Sequence, residues 1–177
     1  MLRGEPYLAG DAELTGARVR ARLLCARLNA SAPDDAPGRV ALLHELFGAV
    51  GTDCWIEPPF QCDYGAQIGL GDGVFVNFGG IFLDCAAITI GDQVQIGPGV
   101  QLLTADHPRD AALRASGAES ARPIVLGPRV WLGGGVIVLP GVTIGADSTI
   151  GAGSVVVRDV PAGVVAAGNP CRVIRRL

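Results

Sequence analysis

From Asp11 to Asn29 the apolar or small residues Leu14, Ala17, Ala21, Leu24 and Leu28 step by three and four positions, the spacing of one helix face. Asp11 stands where an N-cap is wanted, and Arg18, Arg20, Arg22 and Arg27 fall largely off the stripe. After a break rich in Pro and Asp from Ser31 to Pro37, Val40, Leu43, Leu46 and Val50 repeat the pattern, with Gly51 in a C′ position. The first 50 residues therefore predict a helical hairpin.

Beyond about Asp53 a different period takes over. Ile68 and Val74, then Ile88, Val94 and Val100, then Ile124, Val130, Val136 and Val142 recur every six residues, continuing through Ser148 and Ser154 to Val160. Two positions on, Ile90, Ile96, Leu102, Leu126, Leu132, Val138, Ile144, Ile150 and Val156 form a second column, and Gly follows six of them, as in Ile90-Gly91 and Leu132-Gly133. An aliphatic, a polar residue and an aliphatic make a short strand with its apolar side inward, and the Gly supplies a tight corner. Six residues then form one side of a prism. Three sides close a coil of about 18 residues, and coils stacked at about 4.8 Å pair their backbones, giving a three-sided parallel β-helix. The step from Val74 to Ile88 exceeds two repeats and predicts a bulge near Phe78 to Asp84.

Between Leu103 and Pro123 the repeat is silent and the residues are polar, including Asp106, His107, Arg109, Asp110, Arg114 and Glu119. This stretch must leave the prism as an extruded loop, at about residues 103–122, of the kind that carries function on a rigid scaffold. The predicted organisation is a helical segment over 1–52 and a β-helix with a C-terminal tail over 53–177.

Composition narrows the chemistry. Of the 26 glycines, 20 lie within residues 65–177, in keeping with the repeat. Net charge is -3, against a nucleic-acid-binding module. All 14 basic residues are Arg, so Schiff-base chemistry and a Walker-type lysine are excluded. The five cysteines (Cys25, Cys54, Cys62, Cys85, Cys171) show no CxxC pair and read as reduced thiols filling core space. No run is long enough for a membrane span and the N-terminus lacks an apolar h-region, so a cytoplasmic location is expected. Asn29-Ala30-Ser31 then has no glycosylation role. There are two histidines. His44 lies on the second helix pattern and reads as a surface or packing residue. His107 lies in the extruded loop, where a general base, whose pKa suits proton abstraction near neutral pH, and a solvated loop residue fit equally. From Arg158 onward, Arg158, Arg172, Arg175 and Arg176 face Asp159 alone, a surplus that suits phosphates or a solubilising tail.

The loop Thr104-Ala105-Asp106-His107-Pro108, the run Arg129-Val130-Trp131-Leu132-Gly133-Gly134-Gly135, Pro140-Gly141-Val142-Thr143-Ile144-Gly145 and the ending Ala167-Gly168-Asn169-Pro170-Cys171-Arg172-Val173-Ile174-Arg175 resemble the hexapeptide-repeat acyltransferases. More narrowly, with Gly4-Glu5-Pro6-Tyr7 and the helical hairpin, the chain resembles the maltose and galactoside O-acetyltransferases over nearly its whole length. The resemblance implies a left-handed parallel β-helix, acetyl-CoA as donor, no metal, and a homotrimer with active sites between subunits. It implies direct transfer to a sugar hydroxyl, with His107 as base, backbone N–H groups stabilising the oxyanion and no covalent enzyme intermediate. Asn77, otherwise a turn residue at a coil corner, matches the asparagine that contacts the acceptor and steadies the transition state. Asp63 and Asp84 match sugar-binding positions. Gly134, Ala152, Val157, Arg158, Arg172 and Arg175 match the coenzyme A groove, and Trp131, otherwise a packing aromatic, flanks the pantetheine arm.

The chain departs from the galactoside pattern at Cys85, where that pattern has a second Asp, and at Ala9, where an acidic acceptor contact falls, with Asp11 nearby. Val157 and Arg158 replace a Thr and a Lys of some relatives. A trimer with only His107 in each loop, and His44 in a helix, cannot supply the spacing of the three zinc ligands of a γ-class carbonic anhydrase on the same fold. A β-helical structural or ice-binding protein would be uniform along its length, unlike this chain. An antibiotic or a lipo-oligosaccharide remains an alternative acceptor.

Overall fold

The computed structural model describes Met1 and residues 4–177. Helix α1 (Ala12–Asn29) starts at Asp11, whose side chain accepts from the Glu13 and Leu14 amides, and buries Ala21, Leu24, Cys25 and Leu28. Helix α2 (Ala36–Leu46) is capped by Asp35 and buries Leu43 and Leu46. Its end differs from the expectation: Phe47 is extended, and Ala49–Val50 already forms the first rung of the β-helix, pairing with Gly69 and Leu70. Val50 kept the helical spacing from Leu46 by coincidence, and Gly51 is a coil corner, not a helix terminator. Strand pairing within the β-helix thus begins at Ala49, ahead of the boundary at 53.

Three parallel faces build the prism. Face 1 stacks Ala49–Val50, Ile68–Leu70, Ile88–Ile90, Ile124–Leu126 and Thr143–Ile144. Face 2 stacks Trp55–Ile56, Phe75–Val76, Gln95–Ile96, Trp131–Leu132, Thr149–Ile150 and Val164–Ala167, with Arg172–Arg176 added antiparallel. Face 3 stacks Phe60–Cys62, Gly80–Leu83, Gln101–Leu103, Ile137–Val138 and Val155–Val156. Both columns point inward and are buried, and toward the C-terminal end Ser148 and Ser154 stand in the first of them, each bonded to a backbone carbonyl. At the other end Phe47, Phe60 and Phe82 stack edge to face beneath the helices, and Asn29 seals α1 to the first coil by exchanging two hydrogen bonds with the Phe60 backbone.

The coil length is not uniform. Val125 pairs with Thr143, an eighteen-residue step, but Ala49 pairs with Gly69 and Gly69 with Thr89, twenty-residue steps. The two extra residues sit at the corner between faces 3 and 1, in Asp63–Gln67 and Asp84–Ala87, so the irregularity follows the Phe78–Asp84 stretch where a bulge was expected. The extruded loop leaves from this same corner one coil higher.

The glycines after the second aliphatic serve a different purpose from the expected one. A Cβ on Gly91 would come within 2.7 Å of the Pro128 nitrogen, and one on Gly133 within 2.6 Å of the Ala152 nitrogen, so these positions are bare because the next coil lies against them. The left-handed residue of each such corner comes two positions later, as at Gly135 (φ +67°), and at Arg129 and Asp147 it is not glycine at all.

Candidate functional site

The corner between faces 3 and 1 carries most of the polar side chains of interest. In its lowest coil, Asp63 is half-buried and its Oδ2 accepts from the Cys85 thiol of the coil above at 3.5 Å. Asp84 differs from its expected role. It is wholly buried, its Oδ1 accepts from the Asp63 and Tyr64 amides at 3.1 and 2.8 Å, and its Oδ2 from the Gln67 amide at 3.3 Å. Such a carboxylate caps the widened corner and offers a sugar nothing without opening it. Burial raises its pKa above the ordinary carboxylate range, against the opposing pull of those amides. Burial likewise pushes the Cys85 thiol up to about 12, so it stays protonated at neutral pH and is no nucleophile.

The loop above is tied down at its neck. The buried Thr104 hydroxyl donates to Leu83 O and accepts from the Ala86 amide, while the Arg122 amide donates to Thr104 O. Beyond the neck the loop is structured, with strands Ala105–Asp106 and Ala118–Ala121 paired antiparallel around the short helix α3 (Ala111–Ala115). His107 follows the first strand and is exposed, and its amide donates to Asp106 Oδ1 at 2.9 Å. Asp106 also faces Arg109 and Arg122, so one carboxylate fixes the backbone turn at the histidine. His44 is exposed on α2.

A polar groove of about 610 Å³ runs up this edge from the loop, lined among others by Asp106, Arg109, Arg122, Val157, Arg158 and Asp159. It therefore joins the histidine loop to two of the residues expected at the coenzyme, and its three arginines outnumber its two carboxylates. The other expected residues lie elsewhere. Asn77, Gly134 and Ala152 occupy the corner between faces 2 and 3, and Trp131 stands beside it on face 2, 55% exposed. Arg172 and Arg175 lie on the exposed antiparallel strand that closes face 2. Asn77 Oδ1 accepts from the Phe78 amide at 2.8 Å; its φ is not left-handed, so the corner does not need an Asn for conformation.

Within one chain, then, the site residues divide between two edges of the prism, with face 3 between them. Its outward residues Gln61, Ile81, Gln101, Ile137 and Val155 are aligned in register, three of the five aliphatic.

Sequence reasoning missed Tyr7 and Glu119. The strand Tyr7–Leu8 pairs with the outer loop strand, Tyr7 opposite Glu119, and the Tyr7 side chain packs against the buried cluster of Tyr64, Cys85, Ala86 and Ala121. Only its place in Gly4-Glu5-Pro6-Tyr7 could have drawn attention to it. Asp11, placed near the expected acidic contact, is engaged as the α1 cap.

Residues 1–51 match the family model described as the maltose acetyltransferase hexapeptide capping motif, and residues 123–158 match the bacterial transferase hexapeptide model of six repeats. The galactoside O-acetyltransferase of Escherichia coli K12 is 44% identical over 160 residues, covering 90% of this chain and 79% of that protein. A maltose O-acetyltransferase structure from Clostridium difficile 630 superposes with a TM-score of 0.98 at 46% identity, covering 99% of this chain and 94% of that one. A hexapeptide-repeat acetyltransferase from Vibrio cholerae, solved in complex with acetyl-coenzyme A, superposes with a TM-score of 0.94 at 42% identity, covering 100% and 96%.

Proposed function

Because the chain belongs to the maltose and galactoside O-acetyltransferases of the hexapeptide-repeat family, we propose that it is an acetyl-CoA-dependent acyltransferase that acetylates a sugar hydroxyl, with His107 as general base. The observation that carries the mechanism is the placement of His107: an exposed residue on a structured extrusion, fixed at its backbone by Asp106, whose neighbours Asp106 and Arg109 line an arginine-rich groove.

Acetyl-CoA supplies the activated acetyl thioester. The chain supplies the rest. His107 takes the proton of the acceptor hydroxyl as its oxygen attacks the thioester carbonyl carbon, which removes the need to form a free alkoxide; collapse of the tetrahedral oxyanion breaks the C–S bond, and the imidazolium returns the proton to the departing coenzyme A sulfur. Asn77, whose side-chain NH₂ is not used in capping Phe78, holds the same hydroxyl or the developing oxyanion without taking a proton. Arg158, with Arg172 and Arg175 from the partner edge, suits the donor phosphates, and the bare corner at Gly134 and Ala152 suits the pantetheine arm beside Trp131. Asp63 accepts sugar hydroxyls at the foot of the loop. The protonated Cys85 offers no nucleophile there, in keeping with direct transfer.

Because Asn77 and His107 stand on opposite edges of face 3, a complete site is made between chains, and the aliphatic stripe of that face is the surface a neighbouring copy covers, in a homotrimer. The test of the mechanism is His107→Ala, assayed by thiol release from acetyl-CoA against a panel of sugars. Turnover should fall about 10²- to 10⁴-fold with the circular dichroism spectrum unchanged. A folded variant working at the wild-type rate would refute the base.

A further inference from the structure

The strand Tyr7–Leu8 touches none of the coil strands through its backbone; it pairs only with the outer strand of the extruded loop. That outer strand pairs in turn with Ala105–Asp106, immediately before His107. The three strands form one small antiparallel sheet, and the histidine leaves from its inner member. The sheet rests on the prism through Ala121, Ala105 and the Tyr7 ring, which pack against Tyr64, Cys85 and Ala86. The Tyr7 hydroxyl is buried and has no hydrogen-bond partner among the described residues, with Cys85 and Glu119 beside it. No well-formed hydrogen bond from that hydroxyl holds the strand, and the contact that does is the packing of the Tyr7 side chain against the buried cluster.

From this arrangement we infer that Tyr7 is a positioning residue: its ring pins the N-terminal strand to the Cys85–Ala86 corner, and through the shared sheet this sets where His107 stands. The inference rests on the reading of His107 as base. Without the pin the loop keeps its neck at Thr104 and Arg122, but its inner strand loses the outer support that fixes its tilt. General-base catalysis is sensitive to such tilt, since displacement of about 1 Å can cost about 10²-fold in rate.

The chain has two histidines, so its imidazole spectrum contains two sets of signals, and exposed His44 on α2 is an internal control. In Tyr7→Ala the His107 signals should shift and broaden while those of His44 stay fixed. The kcat should fall about ten- to a hundred-fold with the KM for acetyl-CoA within about twofold of wild type. Tyr7→Phe keeps the ring and should restore both the spectrum and kcat. A normal His107 spectrum in Tyr7→Ala, or a shifted spectrum with wild-type kcat, overturns the inference, as does a Tyr7→Phe chain that behaves like the Ala variant, which would assign the work to the hydroxyl. Should Tyr7→Ala fail to fold, Leu8→Pro disturbs the same strand at a residue 60% exposed and must give the same displaced His107 signals. Wild-type activity of His107→Ala would remove the base while leaving the spectral comparison to judge the positioning on its own.

Discussion

At Asp84 the carboxylate accepts from three backbone amides and has no solvent exposure, and burial holds its pKa above the ordinary value. A raised folded-state pKa means that the native state binds the proton more tightly than the unfolded chain. The resulting stability is fully present below the unfolded value of about 3.9 and is lost as pH rises through the folded value. Asp84→Asn does not titrate. Urea unfolding of both chains across a pH series should therefore show the wild type losing stability relative to the variant from about pH 4 upward. A constant or growing wild-type advantage would contradict this. The family resemblance placed Asp63 and Asp84 together as sugar contacts, but at a widened corner one is half-buried and the other wholly buried. His107 stands out as a candidate because it is a titratable residue in a polar stretch that interrupts an apolar repeat, although those residues leave a base and a solvated loop residue equally open and the resemblance adds the base; Tyr7 does not stand out, because its partners come from two other segments more than fifty residues away.

The coil corner shows why a repeat can be read correctly and explained incorrectly. The six-residue period fixed the inward columns, and all of them are buried. Glycine in the sequence does not say whether it is needed for space or for conformation. Gly133 has a neighbouring backbone nitrogen 2.6 Å from where its Cβ would stand, whereas Gly135 has φ +67° and nothing within 4 Å. Alanine at Gly135 should cost about 1–2 kcal/mol, the ordinary penalty of a left-handed L-residue. Alanine at Gly133 should cost clearly more, because two coils must separate. Thermal midpoints of the two variants check this, and equal midpoints would show that the coils yield easily. The outer loop strands were illegible for another reason. Ala105–Asp106 and Ala118–Ala121 have no alternating pattern, and they become strands only because Tyr7–Leu8 and each other supply the partners.

Over the whole molecule, the expected site residues are real neighbours only in part. Val157 and Arg158 share a groove with the histidine loop, whereas Asn77, Gly134 and Ala152 line the opposite edge of face 3. Sequence order cannot reveal this, because every coil visits all three corners and residues far apart in the chain stack on one edge. A shared site makes a direct prediction. Chains carrying His107→Ala and chains carrying Gly134→Trp, each inactive alone, should regain activity when subunits exchange, since some interfaces then pair an intact loop with an intact corner. No recovery despite exchange shown by mass-labelled subunits, or full activity in a sedimenting monomer, would sink the shared site.

The three corners are also unequal in what they can absorb. Two are shut by glycines pressed against the next coil, and their six-residue spacing holds through the stack. The corner between faces 3 and 1 takes two extra residues twice and then a whole loop, with the strands above returning to register. The architecture thus gives extra length room at the one edge where the histidine stands. New sequence grafted there can diversify the surroundings of His107 without unravelling the prism, and the same insertion at either other corner would be paid for in folding.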